Sequence, residues 1–334
     1  MTHLGSSHPY GIRVAGAPDG RRRRVIAKKA HDAYCRCTSN LDGSEAYLSV
    51  FQLGDDFKDY HRRFGSVRGF EGATWAEFLV IDIDRYPHQG GTGRALEDAC
   101  FIVVALEEYF GVNRTLIIPF FSGSKGFHLL VPTSLWRPSP SIDYPEVTRQ
   151  AVRLIAAEAK VEVDLSIYQQ VHLLRAPNTR HPETGLFKRY IPPEIIDSVT
   201  PEQVRELACE PFAFRPYDAV GEPICDRLVD LWAEATSKTE KVRDRLARRK
   251  EDIRTGNHPV DVWPVTRRFL QNVTPVGQRN NSLFRAALNF AELGMDLRAI
   301  HSLLTHNALC LGLREREIER TICSAYCHVY DNNE

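Results

Sequence analysis

The sequence predicts an α+β (α/β-like) fold followed by a small all-helical C-terminal domain, and three features predict it. Residues 46 to 190 alternate short apolar runs with helical repeats, the pattern of a sheet flanked by helices. Beyond about residue 194 the apolar positions keep helical spacing only. Between these regimes, "KTEKVRDRLARRKEDIRTGNHP" mixes both signs of charge, as a solvated helix or linker does. The expected division is a domain over 1–235, a charged helical linker over 236–260 and a helical domain over 261–334.

Within the first domain, "AYLSVFQL" (46–53) reads as a strand, and a glycine-punctuated loop or hairpin leads into the strand "EFLVIDID". "GRALEDACFIVVALEEYFG" has Leu96, Ala99, Cys100, Val103, Val104 and Phe110 at helical spacing, with Gly111 as its stop. "TLIIPFFSGSKGFHLLVP" is strand, turn, strand. "YPEVTRQAVRLIAAEAK" is a helix with Pro145 near its first position and Val147, Ala151, Leu154 and Ile155 on one face. "VEVDLSIY" reads as a further short strand. In the C-terminal region three helices are expected, "RNNSLFRAALNFAELG", "DLRAIHSLLTHNAL" and "REREIERTICSAYCHVY". Gly294 ends the first and Asp296 caps the second.

Composition narrows the function. The 334 residues balance 43 Lys and Arg against 43 Asp and Glu, so nucleic-acid binding would have to come from local patches. No apolar run reaches the length of a membrane span, and "MTHLGSSHPYGIRV" lacks the charged-then-apolar pattern of a secretory signal. The eight Cys are scattered, as expected of a reduced, cytoplasmic protein. "HDAYCRC" offers His31, Cys35 and Cys37, and "CSAYCH" offers Cys323, Cys327 and His328. Neither has paired C-x-x-C spacing, so no zinc site is expected.

The chemistry concentrates in three places. In "FLVIDIDRYP", Asp82 and Asp84 lie two apart on a strand and project from one face. Buried like charges repel, and a hard divalent cation is the usual compensation. Two solvated carboxylates at a strand end are the plain alternative. Asp164 in "VEVDLSIY" is the candidate third carboxylate; three on one sheet would suit two metals and displacement at phosphorus. "FFSGSKGFHLLVP" resembles a Walker loop but puts Lys125 before the second glycine and continues as a strand. "HLLRAPNTRHPETGLFK" adds Arg175, Arg180, His181 and Lys188, cations suited to phosphate oxygens or to an ordinary polar loop.

The order Asp-x-Asp, Ser-Gly-x-x-Gly-x-His, a strand Asp, then "HLLR-P---HP-TG" resembles the archaeo-eukaryotic primase superfamily, in its plasmid and phage primase-polymerase form. "GQRNNSLFRAALNFAELG" with "EIERTICSAY" is similar to the helical primase C-terminal domain, opening on Gly277, Arg279 and Asn280. The resemblance implies a catalytic core with an RRM-like antiparallel or mixed sheet. It implies that Asp82, Asp84 and Asp164 hold two Mg²⁺ or Mn²⁺ ions for nucleotidyl transfer. Ser122, Ser124, Lys125, Gly126, His128, Arg175, His181 and Lys188 would bind the incoming nucleotide. Its partners would be a single-stranded DNA template, a primer strand, NTPs or dNTPs, and a replicative helicase. Template contact would fall to "RRRR" (Arg21, Arg22, Arg23, Arg24), equally a solvated hairpin edge, and to Arg279 and Asn280, equally an ordinary helix start. The zinc knuckle of many relatives is not evident.

Three rival readings stand beside it. A haloacid-dehalogenase-like phosphatase also uses Asp-x-Asp on a strand, but "DIDRYP" lacks the residues that should follow. A glycosyltransferase would explain the metal alone. A non-catalytic replication-initiation or accessory DNA-binding subunit would keep the fold without the chemistry.

Overall fold

Short apolar strands assemble two separate sheets in the first of two compact units, Met1–Thr239 and Glu240–Glu334. The structure, a computed structural model, describes residues 8–16, 21–28, 30–37, 45–65, 67, 70–215, 221–254 and 261–330. In chain order the first unit contains β1 (Tyr10–Ala15), β2 (Arg23–Lys28), α1 (Ala30–Cys35), β3 (Ala46–Ser49), β4 (Gln52–Leu53) and α2 (Asp55–Phe64). There follow β5 (Thr74–Trp75), β6 (Phe78–Asp84), α3 (Gly91–Glu108), β7 (Ile118–Phe121), β8 (Gly126–Pro132) and α4 (Tyr144–Ala159). Then come β9 (Leu173–Arg175), β10 (Arg189–Tyr190), α5 (Pro201–Leu207) and the start of α6 (Asp226–Arg254).

One sheet runs β5-β4-β1-β3-β9 with β2 on the other side of β1, and the second runs β10-β7-β8-β6. All of the pairings are antiparallel. Strand alternation sends Ile81 and Ile83 of β6 into a core shared with Ala99, Ile102 and Leu106 of α3 and Ala151 and Ile155 of α4. Asp82 and Asp84 consequently emerge on the opposite face. Among the described residues, no helix is long and apolar enough to cross a membrane.

Three expectations need correction. Residues 46–53 form two strands, because the Ser49 hydroxyl accepts from the Ile12 N–H and donates to the Phe51 carbonyl, which breaks the ladder at Val50 and Phe51. "VEVDLSIY" is not a strand: Asp164 Oδ1 accepts the Ser166 N–H at 2.7 Å, a local turn that ends the extended run. Val104 of α3 is 37 % exposed, and beside it Phe101 is 51 % exposed, so the buried stripe of this helix is narrower than its sequence suggests.

The second unit adds α7 (Pro264–Leu270), α8 (Arg279–Glu292), α9 (Leu297–Cys310) and α10 (Glu315–Tyr330). Phe269, Leu283, Phe290, Ile300, Leu304, Ile318 and Ile322 form its own core. Gly294 turns out of α8 at φ +80°, and Asp296 caps α9 by accepting the Ala299 N–H. Buried Asn289 accepts from the Trp263 N–H and the Thr266 hydroxyl, which fixes α7, a helix the apolar spacing alone had not shown.

Candidate active site

The β6–β8 pairing builds the site. Asp82 lies opposite His128 and Asp84 opposite Gly126, so the carboxylate pair faces the "SGSKGFH" turn in register. His128 Nε2 sits 3.3 Å from Asp82 Oδ1, and Lys125 Nζ sits 3.0 Å from Asp84 Oδ2 and 3.5 Å from the centre of the Tyr86 ring. Ser122 Oγ accepts the Gly126 N–H at 3.2 Å and closes the turn. Its two glycines are explained by close approach. A Cβ on Gly126 would stand 2.2 Å from the Ile83 carbonyl, and Gly123 takes φ +87° beside the Leu186 carbonyl. Ser124 lies at the rim, where its carbonyl accepts from the Thr92 hydroxyl.

Arg85, which sequence reasoning passed over, ties the pieces together. Its guanidinium donates to fully buried Asp98 on α3, to its neighbour's carbonyl at Asp84 and to the Glu162 carbonyl. The last bond draws the 161–165 segment against β6, and the Asp164 N–H donates to the Asp82 carbonyl at 2.9 Å. Asp164 therefore stands beside Asp82 as expected, but on an irregular segment. Nothing in the sequence marks Arg85 as a clamp, since its partners lie far along the chain.

The "HPETG" turn packs on the glycine turn: the Thr184 hydroxyl donates to the Gly123 carbonyl, and His181 Nδ1 accepts the Glu183 N–H at 3.2 Å. Arg180 is turned back on this loop, donating to the Gly185 carbonyl and lying over Phe187. Arg175 donates to the Arg180 carbonyl, and buried Lys188 donates to the Arg175 carbonyl at 2.9 Å. A cleft of about 90 Å³ opens between the two sheets, lined by His31, Phe78, Val80, Leu174, Arg175 and Lys188.

Charge in the site is tuned by burial. Lys188 is pushed down to about 7 by desolvation, which Asp82 offsets only in part. Burial, then the Lys188 charge, depress His128, while Asp82 pulls it back incompletely. Burial opposes ionisation of Asp82, but His128 and Lys188 outweigh it and hold the carboxyl below its ordinary value. At neutral pH the pair is a carboxylate facing a neutral imidazole. Burial also favours a neutral Lys125, yet its bonds to Asp84 and Tyr86 prevail and raise it. Burial and Arg175 lower His181, opposed by Glu183, Glu45 and Asp84.

Do these residues fit a divalent cation? Asp82 Oδ1 is buried, and His128 Nε2 at 3.3 Å makes no well-formed hydrogen bond to it. An ionised oxygen in that condition suits a cation. Asp84 is partly exposed beside it, with an ammonium on its oxygen. Asp164 has turned its Oδ1 to Ser166, and among the described residues no three His, Cys, Asp or Glu side chains converge to hold a metal. Asp82 and Asp84 fit the ion, with Asp164 adjacent.

The remaining sequence candidates fall elsewhere. Arg22 pairs with Glu45, and Arg23 and Arg24 lie on the exposed strand β2. Arg279 donates to the carbonyls of Val276 and Leu311, and Asn280 Oδ1 accepts from the Thr321 hydroxyl, so both join helices of the second unit. His31 lies 3.6 Å from Cys35 Sγ, and His301 lies 4.0 Å from Cys323 Sγ.

Residues 268–331 match the family model Primase C terminal 1 (PriCT-1). That stretch lies within the second unit and is similar to a primase C-terminal domain. Among solved structures, the crystal structure of primase RepB' is similar at 12% identity and a TM-score of 0.37, covering 96% of this chain and 90% of that one. The polymerase domain of Mycobacterium tuberculosis Ligase D, in complex with DNA, is similar at 14% identity and a TM-score of 0.33, covering 61% of this chain and 82% of that one. No curated protein matches the chain.

Proposed function

We propose that the chain is a DNA-dependent nucleotidyltransferase, a primase-polymerase that synthesises or extends primers on single-stranded DNA and releases pyrophosphate. The observation that supports this best is the in-register placement of Asp82 and Asp84 against His128 and the Lys125 turn. Two Mg²⁺ or Mn²⁺ ions would, when bound, neutralise triphosphate charge and favour the ionised 3′-hydroxyl. Asp82 and Asp84 would hold them, joined by Asp164 once its carboxylate leaves the Ser166 N–H. Ser122, Ser124, Lys125, Arg175 and His181 would bind the triphosphate, with the Gly126 turn fixing their positions. Lys125 would exchange Asp84 for a phosphate oxygen. His128 and Lys188, both buried, would set the charge behind Asp82. The reaction belongs to the cytoplasm, where a replicative helicase would supply unwound template.

A second reading, a non-catalytic initiation or accessory DNA-binding subunit, draws on the Asp164 turn, which leaves the third carboxylate bonded to its own backbone. One assay separates the two, using single-stranded template, labelled nucleotides and Mn²⁺, with and without primer. Product without primer identifies a primase, product only from a primer identifies a polymerase, and binding alone supports the accessory subunit. Asp82→Ala and Asp84→Ala should each abolish synthesis while the fold persists. Full synthesis by the double variant would end the catalytic proposal.

A further inference from the structure

The run "RRRR" is split by the sheet into two pairs with different surroundings. Along a strand, side chains alternate between faces, and residues opposite one another on neighbouring strands share a face. Val14 pairs with Arg24 on β2 and with Tyr47 on β3, and Tyr47 pairs with Arg175 on β9. Arg24, Val14, Tyr47 and Arg175 thus form one row across four strands, three inter-strand steps or about 14 Å long. Arg22, two residues before Arg24, joins the same side. Its guanidinium lies 5.6 Å from the Tyr47 ring centre, as does that of Arg175.

Glu45 holds this arrangement by accepting two bonds from Arg22 and one from the Tyr47 hydroxyl. Three guanidinium groups against one carboxylate leave the row cationic. The next row on this face, Ile12 and Ile26, is packed with Phe57 of α2 and with Phe70. Val14 of the Arg24 row still packs against that cluster, whereas Arg22 and Arg24 are exposed, and Tyr47 and Arg175 are partly so. At its inner end Arg175 reaches the His181 loop and the cleft that holds Lys188. Arg23 belongs to the opposite face, opposite Ala15, where the neighbouring side chains pack on Tyr34 of α1.

We infer that Arg22, Arg24 and Tyr47 form a track for single-stranded nucleic acid that ends at Arg175, so that the unpaired template crosses this face to reach the catalytic cleft. Guanidinium groups suit phosphate oxygens, and an arginine–tyrosine stack offers bases a flat, sequence-tolerant surface. The inference rests on the primase-polymerase reading for its strand, the template, but not for its test.

The test is binding of a fluorescein-labelled oligodeoxynucleotide to the full chain, followed by anisotropy in EDTA without nucleotides, so that catalysis plays no part. Arg22→Ser/Arg24→Ser should weaken binding about tenfold and reduce the slope of log K against log salt by about 1.4, two phosphate contacts on a single strand. Arg21→Ser/Arg23→Ser should stay within about twofold of the parent, and Tyr47→Ala should weaken binding with the salt slope unchanged. Equal losses for the two arginine pairs, or none for Arg22 and Arg24, overturn the track. If the track behaves as stated while Asp82→Ala still synthesises, the catalytic reading fails and the track stands.

Discussion

Asp82 brings an ionised oxygen into a buried position where His128 Nε2, 3.3 Å away, makes no well-formed hydrogen bond to it. Such an oxygen lowers stability until a cation arrives, so metal binding should be visible without turnover. Mn²⁺ at about 100 times its dissociation constant should stabilise the first unit by about 2.7 kcal/mol, a shift of roughly 5–11 °C in melting temperature. Asp82→Asn should abolish that shift while folding normally. An undiminished shift in the variant would place the ion elsewhere. His31 gives a separate prediction at the same scale. Burial, then the Lys188 charge, push its imidazole down to about 4 from 6.5. On acidification the unfolded chain therefore takes up this proton before the native state does. The contribution is complete above pH 6.5 and is lost as pH falls toward 4, by up to about 1.4 kcal/mol per pH unit. Urea midpoints of the parent should fall through that window more steeply than those of His31→Gln, and parallel profiles would refute the assignment.

At the level of elements, the β6–β8 pairing tolerates little change at Gly126. A methyl group on Gly126 would collide with the backbone carbonyl of Ile83 at 2.2 Å, so strand and turn must separate to admit it. Gly126→Ala should cost about 2–3 kcal/mol or more, seen as a lower denaturation midpoint together with loss of synthesis. The same substitution at Gly277, where no atom lies within 4 Å, is the control and should be near neutral. Both strands of this pair were legible in the sequence because an apolar run ending in Asp-x-Asp and a glycine turn ending in His each imply a strand on their own. "VEVDLSIY" shows the opposite case. Its apolar alternation is real, but a side chain competes for the backbone at Asp164, and alternation does not report such a bond. Arg85 was illegible for a different reason: its partners, Asp98 and the Glu162 carbonyl, are defined only by the folded chain. The β1–β2 pairing was legible in part: "RRRR" reads as a solvated hairpin edge, but four consecutive arginines carry no period until the sheet assigns them to faces.

Across the whole molecule, the separation of two regimes in the sequence corresponds to two sets of buried contacts. The core around Phe269, Leu283, Ile300 and Ile318 draws only on residues of the second unit, while β6, β8, α3 and α4 share the large core of the first. A core confined to one segment gives that segment its own cooperative transition. Residues 261–334 alone should therefore be helical by circular dichroism and melt cooperatively. Phe269, on α7, is fully buried in that core. Phe269→Ala in the full chain should lower the stability of the second unit by about 3–5 kcal/mol. Calorimetry should then show the transition of the helical domain moving down while that of the first unit keeps its temperature and its Mn²⁺ response. A common shift of both transitions would mean that the two units unfold as one, and the independence argued from their cores would be wrong.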